Sequence, residues 1–429
     1  MLEDRKPYIL NCDRCSHCKW TPGARSNAFA QSCPSIYYGN FHAYSASGKN
    51  ILAYGLIEGR LGYSEDFLHS VYACSMCGAC DAGCKWNHSG VVEPLDTLYA
   101  LRQRLADDGQ ALPAHVEIMQ NLRMYGNPRG LAGNDSLQWA DGLGLKEIGN
   151  GHCATYLHVG WENASGEAMW PGLRVVAELF RRAGFDFGVA RDERSTGELA
   201  FDLGFVADAR AMAEEAADRI RAAGVGTIIT CSASSYAAFR NVYPRLGIAL
   251  DGIKIVHVTD AVEEVIAGGL PVHAGTRAEK VTYHDPCKLG RLSEPYVRWD
   301  GESTTAFNQV NITNPPRPVL FGNKGNYESP RALLRRMPGI DLVEMERSKA
   351  FSFCCGAAAG AKEAIPEFAE KAALHRLDEA MATGATTLVS VCASCTGHLR
   401  EVAARNNVAI QVRDLFELLA DRITAGAHA

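Results

Sequence analysis

Residues 74–84 read CSMCGACDAGC, and the cysteine spacing of this run predicts how the first part of the chain folds. Its cysteines have the spacing C-x2-C-x2-C-x3-C: Cys74, Cys77, Cys80 and Cys84. Three cysteines spaced in this way can wrap a short loop around three corners of one [4Fe–4S] cube, and the fourth ligand then comes from elsewhere. Small residues such as Gly78 let backbone N–H groups approach the cluster sulfurs. We therefore expect this run to bind iron and sulfide.

A second copy of the spacing lies upstream, where residues 12–18 read CDRCSHC and the fourth cysteine is delayed to the Cys33-Pro34 step. This is the run of bacterial ferredoxins, in which the fourth cysteine of each run ligates the other cluster. Crossing the fourth ligands predicts two cubane sets: Cys12, Cys15, Cys18 and Cys84 for one, and Cys74, Cys77, Cys80 and Cys33 for the other. Zinc is disfavoured because zinc sites use two C-x2-C pairs rather than three cysteines in one run.

The composition is that of an ordinary globular protein of two or three domains. The chain has 429 residues, 47% hydrophobic and 21% charged, with a net charge of −6, so it is no disordered chain, fibre or coiled coil and has no electrostatic case for nucleic acid. No apolar stretch is long enough to span a bilayer and no secretory signal is evident, so we expect a cytoplasmic protein. Its 15 cysteines are then reduced, and clustered ones are metal ligands or catalysts.

Between the cysteine runs and the rest of the chain, local signals predict a helix and a linker. Pro94 opens a stretch with leucines at helical spacing that ends at Gly109. The Gly-rich passage from Asn127 to Gly151 is expected to be the linker to the next domain.

The remainder shows a weak internal duplication. Residues 223–237 and 383–398 each read as a β-branched strand that follows a helix and ends in a cysteine turn, which is how α/β domains build sites. The second half has five clustered cysteines: Cys287, Cys354, Cys355, Cys392 and Cys395. In the first half only Cys231 aligns, opposite Cys392, while Ser234 stands opposite Cys395, so no cluster is expected there. Cys153 and Cys231 are expected to be buried structural thiols.

A cysteine, then a CCG, then a C-x2-C resembles the CCG or cysteine-rich domain of the heterodisulfide reductase catalytic subunit and related iron–sulfur subunits. The resemblance covers essentially the whole chain and implies an α+β fold in three parts. Residues 1–135 would form a mostly α-helical two-[4Fe–4S] ferredoxin domain. Residues 150–275 would form a degenerate α/β CCG-type domain without a cluster, and residues 276–429 a CCG-type α/β domain with one.

The resemblance further implies that Cys287, Cys354, Cys355, Cys392 and Cys395 hold one non-cubane [4Fe–4S] cluster as the catalytic site. His284, three residues before Cys287, could donate a proton to a leaving thiolate, although a satisfied polar group near the cluster is an equal alternative. The chain departs from the family pattern in two ways. Only one of its two domains keeps the cysteine ligands, and the 66 residues between Cys287 and Cys354 are more than the family usually shows. The excess, about 291–330, is either a lid or partner-binding loop or a surface insertion without a role.

These expectations favour an iron–sulfur electron-transfer subunit of a heterodisulfide reductase-like oxidoreductase complex. No nucleotide or flavin motif is present, so electrons would pass to or from a flavoprotein or other redox subunit, and a quinone would be reached only through a membrane subunit. A catalytic thiol–disulfide reductase that cleaves S–S at the non-cubane cluster is the alternative. A zinc-binding scaffold is the third and least favoured interpretation.

Overall fold

The structure is a computed structural model that describes residues 1–88, 91–132, 136–149, 153–273, 278–306 and 310–424. It is built of helices and parallel β-sheets, so the expected mixture of helix and sheet is confirmed. Before Lys146 the described residues form helices, and their one β-type contact is an isolated bridge between Trp20 and Gln31.

The strands, in chain order, are β1 (Lys146–Glu147), β2 (Thr155–His158), β3 (Phe187–Val189), β4 (Thr227–Thr230), β5 (Lys254–His257), β6 (Glu279–Tyr283), β7 (Glu302–Ala306), β8 (Val310–Asn314), β9 (Ile340–Val343), β10 (Thr387–Ser390) and β11 (Gln411–Asp414). Five of them form one parallel sheet in the order β1-β3-β2-β4-β5. Four form a second parallel sheet in the order β11-β10-β6-β9. β7 and β8 form a separate antiparallel hairpin.

The α-helices are Lys6–Leu10, Pro34–Gly39, Ala46–Ile57, Glu65–Tyr72, Ala79–His88, Pro94–Asp107, Pro113–Tyr125, Trp161–Ala164, Trp170–Arg182, Glu198–Leu203, Val206–Ala223, Ala233–Ala237, Tyr243–Arg245, Val258–Ala267, Glu328–Arg336, Ala361–Ala364, Pro366–Ala382, Ala393–Arg405 and Leu415–Thr424. Shorter helical turns lie at Glu3–Arg5, His17–Lys19, His42–Tyr44, Gln138–Ala140, Glu167–Met169, Arg291–Ser293 and Lys349–Phe351, with a π-helix at Ala238–Val242. The helix expected after Pro94 is confirmed, because Pro94 occupies its first turn and Gly109 takes a φ of 70° just beyond its end.

The helices up to Tyr125 form the N-terminal module; β1–β5 with their helices form the first α/β unit, and β6 and β9–β11 with their helices form the second. The four strands common to both parallel sheets have the same order, as expected of a duplication. In both, the first strand of the unit (β2 or β6) lies between the second (β3 or β9) and the third (β4 or β10), and the fourth (β5 or β11) is outside the third. The units pack through equivalent helices. Trp170–Arg182 contacts Leu415–Thr424, and Val258–Ala267 contacts Glu328–Arg336. Each contact joins the first long helix of one unit to the last helix of the other.

The passage expected to be a linker is largely built into the first α/β unit. Its Trp139 is fully buried, and β1 pairs with β3 at the edge of the first sheet. The expectation of a linker was wrong because the passage, although rich in glycine, also contains apolar residues that the unit buries. Asn150 and Gly151, at the end of the passage, lie outside the described residues.

The excess segment at about 291–330 contains the β7–β8 hairpin and is tied to the N-terminal module. The guanidinium of Arg317 lies 3.7 Å from both Glu93 and Asp96 and stacks over Tyr8. At its start, Arg291 is buried against the loop that follows Cys74. The segment therefore connects distant parts of the chain, and its role stays open.

Candidate metal centres

The first predicted ligand set meets around one cavity. Its walls include all four cysteines of the set: Cys12, Cys15, Cys18 and Cys84. The loop that carries the first three turns through left-handed conformations at Arg14 (φ 60°) and Ser16 (φ 74°). Helix Ala79–His88 supplies the fourth, and it approaches closely because Gly83 has no side chain: a Cβ there would lie 2.6 Å from the His17 carbonyl oxygen.

The second predicted ligand set lines a separate cavity: Cys33, Cys74, Cys77 and Cys80. Cys33 precedes the first residue of helix Pro34–Gly39, so the Cys-Pro step starts a helix at the cavity wall. Met76, between two ligand candidates, is fully buried with a φ of 49°. The crossed arrangement of the fourth cysteines is therefore the one that the geometry brings together.

Electrostatics at the second cavity suit an anionic group. Burial raises the pKa of the Cys33 thiol to about 12, and the nearby Lys49 ammonium opposes that rise. Lys49 is itself 1% exposed, and its Nζ donates to Ser35 Oγ at 2.9 Å. A buried ammonium is costly unless negative charge lies nearby. Deprotonated cysteines around iron and sulfide would provide it, so the donor set fits such a cluster.

The five cysteines of the second α/β unit converge at the carboxyl end of its sheet. Cys287 follows β6, Cys392 caps helix Ala393–Arg405, and Cys395 lies in the first turn of that helix. The Sγ atoms of Cys355 and Cys395 are 3.3 Å apart, and Cys354 contacts the sulfur of Cys287. All five side chains are buried. The structure thus brings together the complete predicted set.

The doubled cysteine is followed by a glycine at a position where any side chain would be strained. Gly356 has a φ of 92°, and a Cβ there would lie 2.9 Å from both the Ala369 carbonyl oxygen and the Ala372 Cβ. Within the group, contacts with neighbouring thiols, that of Cys354 first, hold the pKa of Cys355 well below its ordinary value. One thiolate, at Cys355, is therefore stabilised by neighbouring thiols, whereas the pKa values of Cys287 and Cys395 are raised; the thiolate is the form that binds metal.

His284 is fully buried beside this group. One of its ring nitrogens and the sulfurs of Cys355 and Cys395 lie within 4.8 Å of one another. Arg376 Nε donates to His284 Nδ1 at 3.1 Å, so the proton of the neutral ring is on Nε2, which has no partner among the described residues. Burial lowers the pKa of His284 to about 3, so the ring is neutral. Its N–H can donate a hydrogen bond beside the cysteines.

Two buried ion-pair networks fix the segments around the five cysteines. Glu379 accepts hydrogen bonds from Arg347 and Arg376, and Arg376 in turn holds His284. Asp285, two residues before Cys287, accepts from both terminal nitrogens of Arg331 at 2.6 and 2.9 Å. These guanidiniums are all buried. Buried, mutually paired charged groups therefore position the segments around the site.

The second cavity and the five-cysteine site are adjacent, and their side chains are in contact. Ser75 Oγ donates to Cys354 Sγ at 3.3 Å, and the sulfurs of Cys77 and Cys354 are also in contact. Arg291 fixes this junction, since its Nε donates to the Cys77 carbonyl at 3.0 Å and its Nη1 to the Ser352 carbonyl at 2.6 Å. The first cavity adjoins the second through helix Ala79–His88, which carries a cysteine of each.

The first α/β unit has no cysteine at the corresponding positions. Counting from the paired strands, Cys287, Cys392 and Cys395 correspond to Trp161, Ser232 and Ser235. The left-handed glycines Gly356 and Gly197 align Cys354 and Cys355 with Ser195 and Thr196. The expected alignment of Cys231 with Cys392 and of Ser234 with Cys395 was therefore wrong by one residue. It matched cysteine to cysteine, whereas Ser232 is the residue that caps its helix as Cys392 does. Cys231 and Cys153 are buried, as expected.

A hydrogen-bonded carboxylate is buried in the interior of the first α/β unit. Glu193 is 2% exposed and accepts from Tyr156 Oη at 2.9 Å and from the backbone N–H groups of Val159 and Gly160 at 3.0 Å. His158, which corresponds to His284, lies 3.2 Å from the same carboxylate. The unit is thus stabilised by its own polar network.

Several residues that shape the sites were missed from sequence. Ser75, Arg291 and Arg376 act across long stretches of chain, and no local spacing marks them. Lys49 lies within a helix that carries no cysteine. A Cys-Ser step and isolated basic residues are too common to have been informative.

The chain is similar to known iron–sulfur proteins. Residues 321–400 match the cysteine-rich domain model called CCG, which includes four of the five clustered cysteines. The chain is 26% identical over 423 residues to a subunit of the dihydromethanophenazine:CoB–CoM heterodisulfide reductase of Methanosarcina acetivorans, covering 96% of this chain and 93% of that one.

Two longer proteins also match. A probable membrane-anchored ferredoxin of Chromohalobacter salexigens is 29% identical over 380 residues, covering 86% of this chain and 50% of the relative. The probable iron–sulfur-binding oxidoreductase FadF of Bacillus subtilis is 26% identical over 372 residues, covering 82% and 46%. This chain therefore spans about half the length of these two relatives.

No helix within the described ranges combines the length and the apolar character needed to cross a bilayer. The relatives are iron–sulfur proteins and oxidoreductase subunits by name, and the CCG match falls on the predicted cysteines. The expected resemblance to the heterodisulfide reductase-like iron–sulfur subunits is thereby confirmed, and the chain is similar to iron–sulfur oxidoreductase subunits over most of its length.

Proposed function

We propose that this chain relays electrons between a flavoprotein or other redox subunit and a terminal acceptor. The observation that carries the proposal is the order of the three cysteine sites. The first cavity reaches the surface at Cys15, the one exposed cysteine of the chain. Helix Ala79–His88 joins it to the second cavity, and Cys77 joins the second cavity to the five-cysteine site. The sites thus run from the surface into the core.

Each site would hold one [4Fe–4S] cluster, with the crossed cysteine sets as ligands of two cubanes and the five clustered cysteines as ligands of a CCG-type cluster. Such clusters supply one-electron transfer when bound. The chain separates the sites by short distances. Cys80 and Cys84 are four residues apart on one helix, a rise of about 6 Å. The five cysteines of the innermost site are all buried, whereas Cys74 of the second set is partly exposed.

The partner would meet the chain at the first cavity. Cys15 and Arg14 are exposed there, whereas the cysteines of the second α/β unit are all buried. A redox protein cannot approach the buried site directly, so its electrons would enter or leave at Cys15. The names of the relatives, which include an EtfAB:quinone oxidoreductase of Syntrophomonas wolfei, favour partners of the redox type.

A catalytic thiol–disulfide reductase is the second candidate, and one observation favours it. His284 Nε2 is buried without a partner among the described residues, and this ring lies beside Cys355 and Cys395. Reduction of a disulfide takes two electrons and two protons, the protons coming from solvent water, and yields two thiols. The relay would deliver the electrons singly, and His284 would orient the substrate sulfur by its N–H. One ligand set, where heterodisulfide chemistry uses two, would make this a single-site variant.

The relay is tested by removing its outer end. We would reduce the purified holoprotein with photoreduced flavodoxin, a protein donor too large to enter a buried site, and follow the CCG signal by rapid-freeze EPR. The C12S/C84S variant should show a rate of CCG reduction at least tenfold lower, whereas dithionite should still reduce it. The buried C153S variant is the control. An unchanged rate with flavodoxin would contradict the proposed route.

Thiol binding separates the two candidates. If the chain is a disulfide reductase, an added thiol should change the EPR signal of the oxidised CCG cluster in the wild-type protein. If it is a relay alone, the signal should not respond. The H284A variant adds a check, since loss of the thiol response with retention of iron would support the role of His284 in orienting a substrate sulfur.

A further inference from the structure

The loop of the second cavity does more than present its own cysteines. Between Cys74 and Cys77 it places Ser75, which is 1% exposed and donates through Oγ to Cys354 Sγ at 3.3 Å. Cys354 belongs to the other site, 279 residues further along the chain. A ligand candidate of one site thus receives a hydrogen bond from the ligand loop of its neighbour.

The position of this hydroxyl is tightly fixed. Arg102 Nη2 donates to the Cys74 carbonyl at 2.6 Å, and Arg291 Nε donates to the Cys77 carbonyl at 3.0 Å, so the backbone is clamped on both sides of Ser75. The Cβ of an alanine at Gly78 would lie 3.1 Å from Leu292, which shows how closely the loop packs on the second α/β unit. The backbone of Ser75 is therefore held where its hydroxyl reaches Cys354.

Sulfur ligands of iron–sulfur clusters accept few strong hydrogen bonds, and each one stabilises the more electron-rich, reduced state. The Gly356 N–H also donates to Cys354 Sγ, at 3.4 Å. The Ser75 hydroxyl makes the shorter of the two contacts. It comes from the segment that holds the neighbouring cluster, so a shift of that segment would be felt at Cys354.

We propose that Ser75 is a positioning residue that sets the reduction potential of the CCG-type cluster through Cys354 and couples that potential to the second cubane loop. The inference rests on the proposed function, because it requires a cluster at the five cysteines. The acceptor of the hydrogen bond is the thiolate sulfur, and no proton is transferred. The ferredoxin module and the CCG site are then one redox unit rather than two independent ones.

The test is an anaerobic EPR redox titration of the holoprotein and its S75A variant. S75A should keep its iron and the cubane signals, and the midpoint potential of its CCG signal should be lower than that of the wild type. S75T, which keeps the hydroxyl, should restore the potential. The buried Ser70 in helix Glu65–Tyr72 provides the matched control, and S70A should leave the potential unchanged.

Proton electron–nuclear double resonance gives a second readout. In H2O the wild-type CCG signal should show an exchangeable coupling, beyond those of the Gly356 N–H and the His284 Nε2–H, that disappears in D2O and in S75A. If S75A loses iron, the inference is judged on the exchangeable coupling of the wild-type protein. Its presence supports the inference, and its absence overturns it. A normal wild-type signal whose potential S75A leaves unchanged would overturn the inference alone. Absence of any CCG signal in the wild type would refute the proposed function with it.

Discussion

Replacing Glu379 with glutamine should strongly destabilise the second α/β unit. The carboxylate is 1% exposed and accepts from the backbone N, Nε and Nη2 of Arg347 at 2.7, 3.1 and 2.9 Å, and from Nη1 of Arg376 at 2.6 Å. Burial raises the pKa of Glu379, yet the two guanidiniums together hold it below its ordinary value, so the group is ionised. Glutamine would leave two buried positive charges facing each other across a neutral amide.

Removing one partner of a buried ion pair costs about 3–5 kcal/mol, and here one carboxylate serves two guanidiniums. The matched control is Glu401→Gln. Glu401 pairs at 2.6 Å with Lys362 and with Arg405 on the surface, where such pairs contribute about 0.2–1 kcal/mol. The same change of side chain thus differs severalfold in its expected effect.

The assay is anaerobic differential scanning calorimetry of the holoprotein variants. For a unit of this size, roughly 2–4 °C of Tm corresponds to 1 kcal/mol. E379Q should therefore lower the Tm of the second α/β unit by roughly 6–20 °C, and E401Q by less than about 4 °C. E379Q should also alter the CCG signal, because Arg376 holds His284. Equal and small shifts in the two variants would refute the account of this network.

The same geometry makes three further substitutions informative. Gly356→Ala should lower the iron content by about four per chain, because φ is 92° and a Cβ would lie 2.9 Å from the Ala369 carbonyl; full iron in this variant would refute the glycine argument. Lys49→Met should lower the midpoint potential of the second cubane in an EPR titration, since a buried cation favours the reduced form, and Lys49→Arg should not. Glu193→Ala should cost about 3 kcal/mol or more in calorimetry, because it strands the donors of Tyr156, Val159 and Gly160, while iron content stays unchanged; loss of iron would contradict the cluster-free first unit.

The cysteine spacings were enough to predict which residues meet at each site. A three-cysteine run constrains a short loop, and the delayed fourth cysteine at Cys33 or Cys84 left the crossed pairing as the ferredoxin-like choice; the two cavities have that membership. The duplication predicted two α/β units, and the four strands common to both sheets have the same order. These features depend on local spacing and on repeats, which a single sequence displays.

What escaped prediction depends on packing between distant segments. The Ser75–Cys354 hydrogen bond and the Arg291 clamp arise only where the N-terminal module meets the second α/β unit. The sequence alignment paired Cys231 with Cys392 because both are cysteines. The register of the paired strands shows that Ser232 is the residue equivalent to Cys392. Trp139 was hidden in a Gly-rich passage because burial depends on the neighbouring sheet and not on local composition.

We propose that the chain holds three iron–sulfur clusters on the three cysteine sets. The deciding measurement is iron and acid-labile sulfide per chain on anaerobically purified protein. We expect about twelve irons and about twelve sulfides, falling to about eight of each in a variant that lacks Cys354 and Cys355. About eight irons in the wild type, unchanged in that variant, would contradict the proposal.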